Sequence, residues 1–293
     1  MNKLAFIGFG EAATAFLSGW TKSALMQISA YDIKTDAPDE AVRLAKLEDY
    51  KAAGIKGCDT LSEALEGANI IFSLVTADQA LVAAKAAAVF VKEGAFYFDC
   101  NSCAPHTKQQ AGASIGQKGA NYIDVAVMAP VGKAKHKTPL LMSGANSAAA
   151  EKILQQLDMQ VQFLSDKIGA ASSVKMMRSI MIKGMEAITV ECMLAARKAG
   201  VEEYVLDSLQ SSDPDINWRE RTSYILERVM VHGQRRAAEM REVSSTLQHI
   251  GLDGKITTAT AEWQQMVGEL GLEADSTDYH NMLDNILQKL IKD

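Results

Sequence analysis

The chain contains no apolar stretch near the ~20 residues that a membrane span requires, and no run of five or more basic residues. Thirty lysines and arginines against 36 aspartates and glutamates leave a net charge of −6, which argues against nucleic acid as a partner. The apolar run after Lys3 extends only about six residues before Glu11 interrupts it, so it reads as a buried strand and not as an export signal. The four cysteines, Cys58, Cys100, Cys103 and Cys192, are scattered, and reduced thiols in a cytoplasm are expected. Cys100 and Cys103 form a C-x-x-C that closes a strand instead of opening a helix, so neither a redox pair nor a metal site is expected there. No internal repeat and no low-complexity segment occurs. What remains, 48% hydrophobic and 23% charged residues over 293 positions, is the composition of a globular protein long enough for two domains.

The most informative stretch is Leu4 to Ala13. A short apolar run of strand length meets Gly8, Gly10 and Ala13, a G-x-G-x-x-A pattern, followed by a helix-compatible segment over 14–22. Gly8 permits a tight strand-to-helix turn, Gly10 lets backbone approach a pyrophosphate, and Ala13 lets helix and strand pack closely. The N–H groups at the start of that helix suit an anion. A second strand over 27–31 ends at Asp32, 22 residues after Gly10, where an acid meets the ribose 2′-hydroxyl of a dinucleotide. Asp32 favours NAD over NADP, although the neighbouring Lys34 could accept a 2′-phosphate. The expected cofactor contacts are Gly8, Phe9, Gly10, Glu11, Ala12 and Asp32, then Val75 and Thr76 after a later strand, and Asn101.

Strand-like and helical segments alternate through residue 165, which implies parallel strands with crossover helices. Strands are expected over 69–75, 95–99, 121–131 and 139–144, and helices over 41–53, 61–66 and 78–90. The cationic segment Gly132 to Lys137 reads either as a solvated loop or as an attractor for an acidic substrate. From Ser172 onward apolar residues fall at helical spacing, and the long helix they form ends at Gly200. Further helices are expected over 202–211, 217–250, 257–270 and 276–292. The reading is thus a domain of residues 1–165 and an all-helical domain of residues 166–293. Fourteen methionines, mostly in the helical half, suit adaptable packing between helices and between subunits.

Taken together these motifs resemble the β-hydroxyacid dehydrogenase family, relatives of 6-phosphogluconate and 3-hydroxyisobutyrate dehydrogenases, over residues 1 to about 200. Asp99-Cys100-Asn101-Ser102-Cys103-Ala104-Pro105 is similar to the substrate segment D-x-S-[ST]-x-x-P, with Asn101 in place of its first hydroxyl residue. Tyr122 to Val127 resembles F-L-D-A-P-V, but Met128-Ala129-Pro130 replaces the S-G-G that follows. Gly169 to Lys175 is similar to G-x-x-x-x-x-K, whose lysine is the family's acid/base. Four residues later Ser179 stands where the family has asparagine. The segment from Val231 to Met240 lacks the usual lysine-aspartate pair, which points to a branch with a divergent helical domain. The resemblance implies an α/β Rossmann domain with a parallel sheet followed by an all-α domain for substrate binding and dimerisation. It also implies NAD or NADP as cofactor, a small-molecule substrate and a homodimer.

Oxidising a secondary alcohol removes a hydride from carbon and a proton from oxygen, so one group must accept that proton within ~3 Å. Lys175 is the candidate. Expected substrate contacts are Ser102, Asn101, Ser179, Val127, Met128 and Arg235. Ser179, one turn from Lys175, either orients the substrate or bonds back to its own helix. Arg235 and Arg236 either clamp an anion or form a solvated face with Glu239. The leading expectation is an NAD(P)-dependent oxidoreductase acting on a small hydroxyacid or carbonyl compound. An oxidative decarboxylase of a sugar acid such as 6-phosphogluconate, and a non-catalytic dinucleotide-binding regulator, are the alternatives.

Overall fold

The computed structural model describes residues 3–20, 27–274 and 277–291. Its α/β part runs β1 (Lys3–Ile7), α1 (Glu11–Gly19), β2 (Gln27–Tyr31), α2 (Glu40–Ala53), β3 (Lys56–Gly57), α3 (Leu61–Leu65), β4 (Ile70–Ser73), α4 (Ala80–Ala87) and β5 (Phe96–Asp99). It continues through α5 (Pro105–Gly116), β6 (Asn121–Val127), α6 (Val131–Ala134), β7 (Leu140–Ser143), α7 (Ser147–Gln156) and β8 (Val161–Ser165). The expected end of α1 at Lys22 lies outside the described residues. Among the described residues, eight strands form one sheet in the order β3-β2-β1-β4-β5-β6-β7-β8. Strands covered on both faces read as continuous apolar runs, and Leu4, Ala5, Phe6 and Ile70 to Phe72 are all buried. Phe6, Phe16, Phe72 and Phe98 fill one face; Ile7, Ile71, Tyr97 and Ile115 fill the other. Each such side chain contributes roughly 1.5–3 kcal/mol by leaving water.

The chain order reverses beside β1, which pairs with β2 on one edge and β4 on the other, both parallel. In an open α/β sheet that switch point, at the carboxyl ends of the strands, is where a crevice forms. The sheet is not wholly parallel as expected: β6 and β7 pair antiparallel. Residues 128–139 join them through a four-residue helix and a 3-10 turn, and no helix long enough to carry the chain back across the sheet forms there. This segment is the cationic stretch: Gly132, Lys133, Ala134 and Lys135 are exposed, as in a solvated segment, while His136 and Lys137 are held against the rest of the chain. Lys137 pairs with Asp158, and the His136 ring lies where a Cβ on Gly19 would stand.

One compact unit ends at Lys175 and the second begins at Met176. The helix α8 (Ala170–Ala199) spans this boundary and stops at Gly200, whose φ of 70° suits glycine. Its opening residues belong with the sheet because side chains of β6 and β7 hold their N–H groups. The second unit adds α9 (Glu202–Ser212), α10 (Trp218–His249), α11 (Lys255–Glu269) and α12 (Tyr279–Leu290). The Asn217 side chain caps α10 by accepting from the Glu220 N–H. Val190, Met193, Leu226, Val229, Met230 and Leu283 share its core. No helix among the described residues is long and apolar enough to cross a membrane.

Helices α10 and α11 approach so closely that a Cβ on Gly233 would lie 2.4 Å from the Gln264 carbonyl oxygen and 2.8 Å from Gly268 Cα. Both obstacles are backbone and cannot rotate away. Gly233→Ala should therefore cost ~1–3 kcal/mol in urea denaturation. An unchanged midpoint would contradict the close approach.

Candidate active site

Two strand ends build the first half of the site. Gly8 has φ +81°, and a Cβ there would stand 2.5 Å from the Leu74 carbonyl oxygen, so only glycine makes this turn. Gly10 caps α1 in extended conformation, and a Cβ on it would meet nothing within 4 Å. The space above the loop is open. The first N–H groups of α1 lack helical partners by construction, since the ladder starts with Thr14 N–H donating to the Gly10 carbonyl. Ala12 is half-buried and Glu11 exposed at this helix start. Asp32 closes β2; its Oδ2 accepts the Phe9 N–H at 2.8 Å and its Oδ1 the Lys34 N–H at 3.0 Å. Each oxygen keeps a second lone pair for an incoming hydroxyl. The Phe9 ring is buried against Phe6 and Tyr50, so only its backbone faces the loop.

Asn101 is 4% exposed, and its side chain is committed within the protein. It accepts the Val75 N–H at 2.6 Å and donates to Ser73 Oγ at 2.9 Å and Asp99 Oδ1 at 2.7 Å. Its effect is to tie the ends of β4 and β5 together and to set the backbone at Val75 and Thr76; a free amide aimed at a ligand is not what the structure shows. Thr76 is exposed and Val75 half-buried at that strand end.

The second half is a pair of side chains. Lys175 Nζ donates to Ser102 Oγ at 2.5 Å, joining residues 73 positions apart, and both side chains are half-buried. Beneath them lies charge with no solvent: Asp99, Lys108 and Asp124 are all fully buried. Lys108 Nζ donates to the Asp99 backbone carbonyl at 2.7 Å and Oδ1 at 2.8 Å, and stands 3.5 Å from Asp124 Oδ1. Burial alone would push this ammonium down; Asp99 and Asp124 outweigh it and hold the group above the usual lysine range. Tyr122 donates to Asp99 Oδ2 at 2.6 Å, and burial beside that carboxylate pushes its phenol well up. Asp124 Oδ2 accepts the Gly169 and Ser172 N–H groups at 3.1 and 3.0 Å, and Oδ1 accepts Ser172 Oγ at 2.6 Å. Ser143, its partner across the β6–β7 pair, accepts the Ala171 N–H at 3.0 Å. The orphan donors of α8 are thus met by two strand side chains. Burial raises the neighbouring Cys100 thiol to about 12, which leaves it protonated and unreactive.

Val127 packs on the core and Met128 on Ala126, Leu141 and Ala171. Met128 also lines an open groove with Pro139, Val161, Leu164 and Val174, among whose lining residues are neither Ser102 nor Lys175. In the second unit, Ser179 accepts from Lys183 Nζ at 3.3 Å instead of bonding back to its own turn, and Lys183 pairs with Glu239 at 2.9 Å. Arg235 is exposed and reaches Glu239 at 3.4 Å, which is the helix-face arrangement, while Arg236 is buried against Glu186. Sequence reasoning passed over Lys46, Lys108 and Asp124. Lys46 is 5% exposed and donates to the Phe9 carbonyl at 2.7 Å from α2, a helix whose sequence reads as a surface element. A carboxylate inside the apolar strand Tyr122 to Val127 was the one signal available for Asp124.

The family model described as the NAD binding domain of 6-phosphogluconate dehydrogenase matches residues 3–164. The chain belongs to this family. A second model, described as a domain of unknown function (DUF1932), matches residues 196–267. A curated relative in Methanothermus fervidus, an uncharacterized 28.5 kDa protein, is 28% identical over 211 residues, 72% of this chain and 77% of its own length. The 3-hydroxyisobutyrate dehydrogenase of Pseudomonas aeruginosa is 22% identical over 225 residues, 74% of this chain and 72% of its own length. The solved structure of a conserved hypothetical protein from Sinorhizobium meliloti superposes with a TM-score of 0.75 at 31% identity, covering 99% of this chain and 97% of that one.

The residues present fit the family's nicotinamide dinucleotide. Gly8 and Gly10 with the start of α1 would hold its pyrophosphate, and Asp32 its adenine ribose. A direct consequence separates fold from binding. Gly10→Ala adds a methyl that meets no protein atom, so its melting temperature should stay at the wild-type value. The same methyl fills the space a pyrophosphate needs, and NADH affinity in fluorescence titration should fall ~10-fold or more. Undiminished affinity would contradict this placement.

Proposed function

We propose that the chain is a nicotinamide-dependent oxidoreductase of the β-hydroxyacid dehydrogenase type, acting on a small hydroxyacid or the matching carbonyl compound. The observation that carries this reading is the Lys175–Ser102 hydrogen bond, set at the carboxyl end of β5 in a dinucleotide-binding sheet. A bound nicotinamide supplies the acceptor or donor for the carbon-bound hydrogen. The chain's own residues handle the oxygen. Ser102 Oγ donates to or accepts from the substrate oxygen, and Lys175 Nζ takes the hydroxyl proton in oxidation or returns it in reduction. Ser102 holds the amine in place while no substrate is present.

Asp32 supports NAD as the preferred cofactor, because its carboxylate would face a 2′-phosphate with like charge. The 22% identity with 3-hydroxyisobutyrate dehydrogenase supports the substrate class. The exposed apolar residues Met181, Ile182 and Ile188 on α8 support a homodimer, in which a second copy would cover them.

The test is turnover of NADH and NADPH with small keto acids, semialdehydes and ketones. Lys175→Ala should lower turnover at least ~100-fold while cofactor affinity stays near wild type. Turnover unchanged in that variant would overturn the assignment.

A further inference from the structure

The proton exchange assigned to Lys175 requires its amine and Ser102 to be held at one separation, yet they come from distant parts of the chain. Ser102 follows β5 by three positions, and Lys175 lies three positions past Ser172 in α8. The segment leading to Ser102 is anchored on Asp99, whose Oδ1 accepts the Asn101 N–H at 3.0 Å and the Asn101 amide at 2.7 Å. The start of α8 is anchored on Asp124 through Gly169 and Ser172. Lys108, from α5, is the cation that touches both carboxylates.

Resting on the reading of Lys175 as the proton-exchanging group, we propose that Lys108 is a positioning residue: its buried ammonium bridges Asp99 and Asp124 and so fixes Ser102 and Lys175 relative to each other.

Stability alone does not call for this arrangement. A fully buried ion cluster is no more stabilising than apolar side chains of the same volume, because desolvation consumes most of the Coulomb gain. What the ions add is direction. Every oxygen of both carboxylates is engaged by a named donor, and the ammonium meets the Asp99 carbonyl as well, so neither strand end can shift without leaving a buried charge unmet. The bridge therefore acts on the Ser102–Lys175 geometry without touching a substrate.

The test compares the wild type with Lys108→Met/Asp99→Asn. This double change removes one positive and one negative charge together, keeps the net charge of the cluster, and leaves Asp124 of β6 in place to accept from the start of α8. Acetic anhydride labelling followed by peptide mass spectrometry reads the acylation rate of each lysine in the intact protein, with exposed Lys133 as internal reference. Lys175, no longer held on Ser102, should be acylated roughly threefold faster or more in the folded variant, with Lys133 and NADH affinity unchanged. A wild-type Lys175 rate in the folded variant would overturn the proposal. Should the double variant not fold, Asp99→Asn alone is scored by the same criterion, since it weakens the bridge and keeps the Lys108–Asp124 contact. The labelling reads Lys175 whether or not that amine takes a substrate proton. Failure of the catalytic reading would thus appear as undiminished turnover in Lys175→Ala, and failure of the positioning role as an unchanged labelling rate.

Discussion

A carboxylate enclosed in protein must have its lone pairs met by donors, and Asp124 meets that demand by collecting the backbone of another element. Its oxygens take two N–H groups and a hydroxyl from residues 169–172, a second hydroxyl from Ser143, and face the Lys108 ammonium. The desolvation of Asp124 and the unmatched donors at the start of α8 are each other's remedy. Because of that match, the opening of a 30-residue helix is bound to the sheet, and Lys175 rides on it to a fixed place beside Ser102. Truncating Asp124 would take the acceptor from the Gly169 and Ser172 N–H groups and the Ser172 hydroxyl at once, while the Lys108 ammonium keeps Asp99.

The same economy shapes the cofactor side. Tight turns at strand ends cost backbone strain unless glycine makes them, and Gly8 sits under the Leu74 carbonyl where no side chain fits. Asp32 and Lys46 then hold the loop at Phe9 from two directions, through its N–H and its carbonyl. Asn101 performs the corresponding task at Val75. Lys46 and Asn101 fix the elements around the switch point without needing to touch a ligand, Asp32 does so with lone pairs to spare for one, and the space above Gly10 is left open.

Much of the fold was legible because its causes are local. Apolar spacing with Pro214 and Gly251 at the ends bounded the helices later found at Glu202–Ser212 and Trp218–His249 to within a residue or so. Short apolar runs located β1, β4 and β5. The edge strand β8 was not separately foreseen, since Gln162, Phe163 and Leu164 are all exposed and carry no alternation. Nor was the antiparallel pairing of β7, where residues 128–139 form only short helical turns and no crossover helix. At the site, Ser102 and Lys175 could be picked out only through their motifs, and the structure brings them together. Lys108 and Asp124 were silent for a physical reason: their meaning lies in partners up to 48 positions away, and a charged residue in a sequence looks the same whether water or an opposite charge surrounds it.

If this sheet presents a nicotinamide to a carbon whose oxygen is served by Lys175, hydride must pass between the cofactor and that carbon. That transfer is tested most directly by following the hydrogen itself: NADH deuterated at C4 is incubated with the protein and a mixture of small keto acids and aldehydes, and the products are read by mass spectrometry. Deuterium is expected on a hydroxyl-bearing carbon of one product in the wild type, with at most about one hundredth as much in Lys175→Ala over the same time. Deuterium that stays on tightly bound cofactor throughout would contradict it, and would describe a protein that binds the dinucleotide without using it.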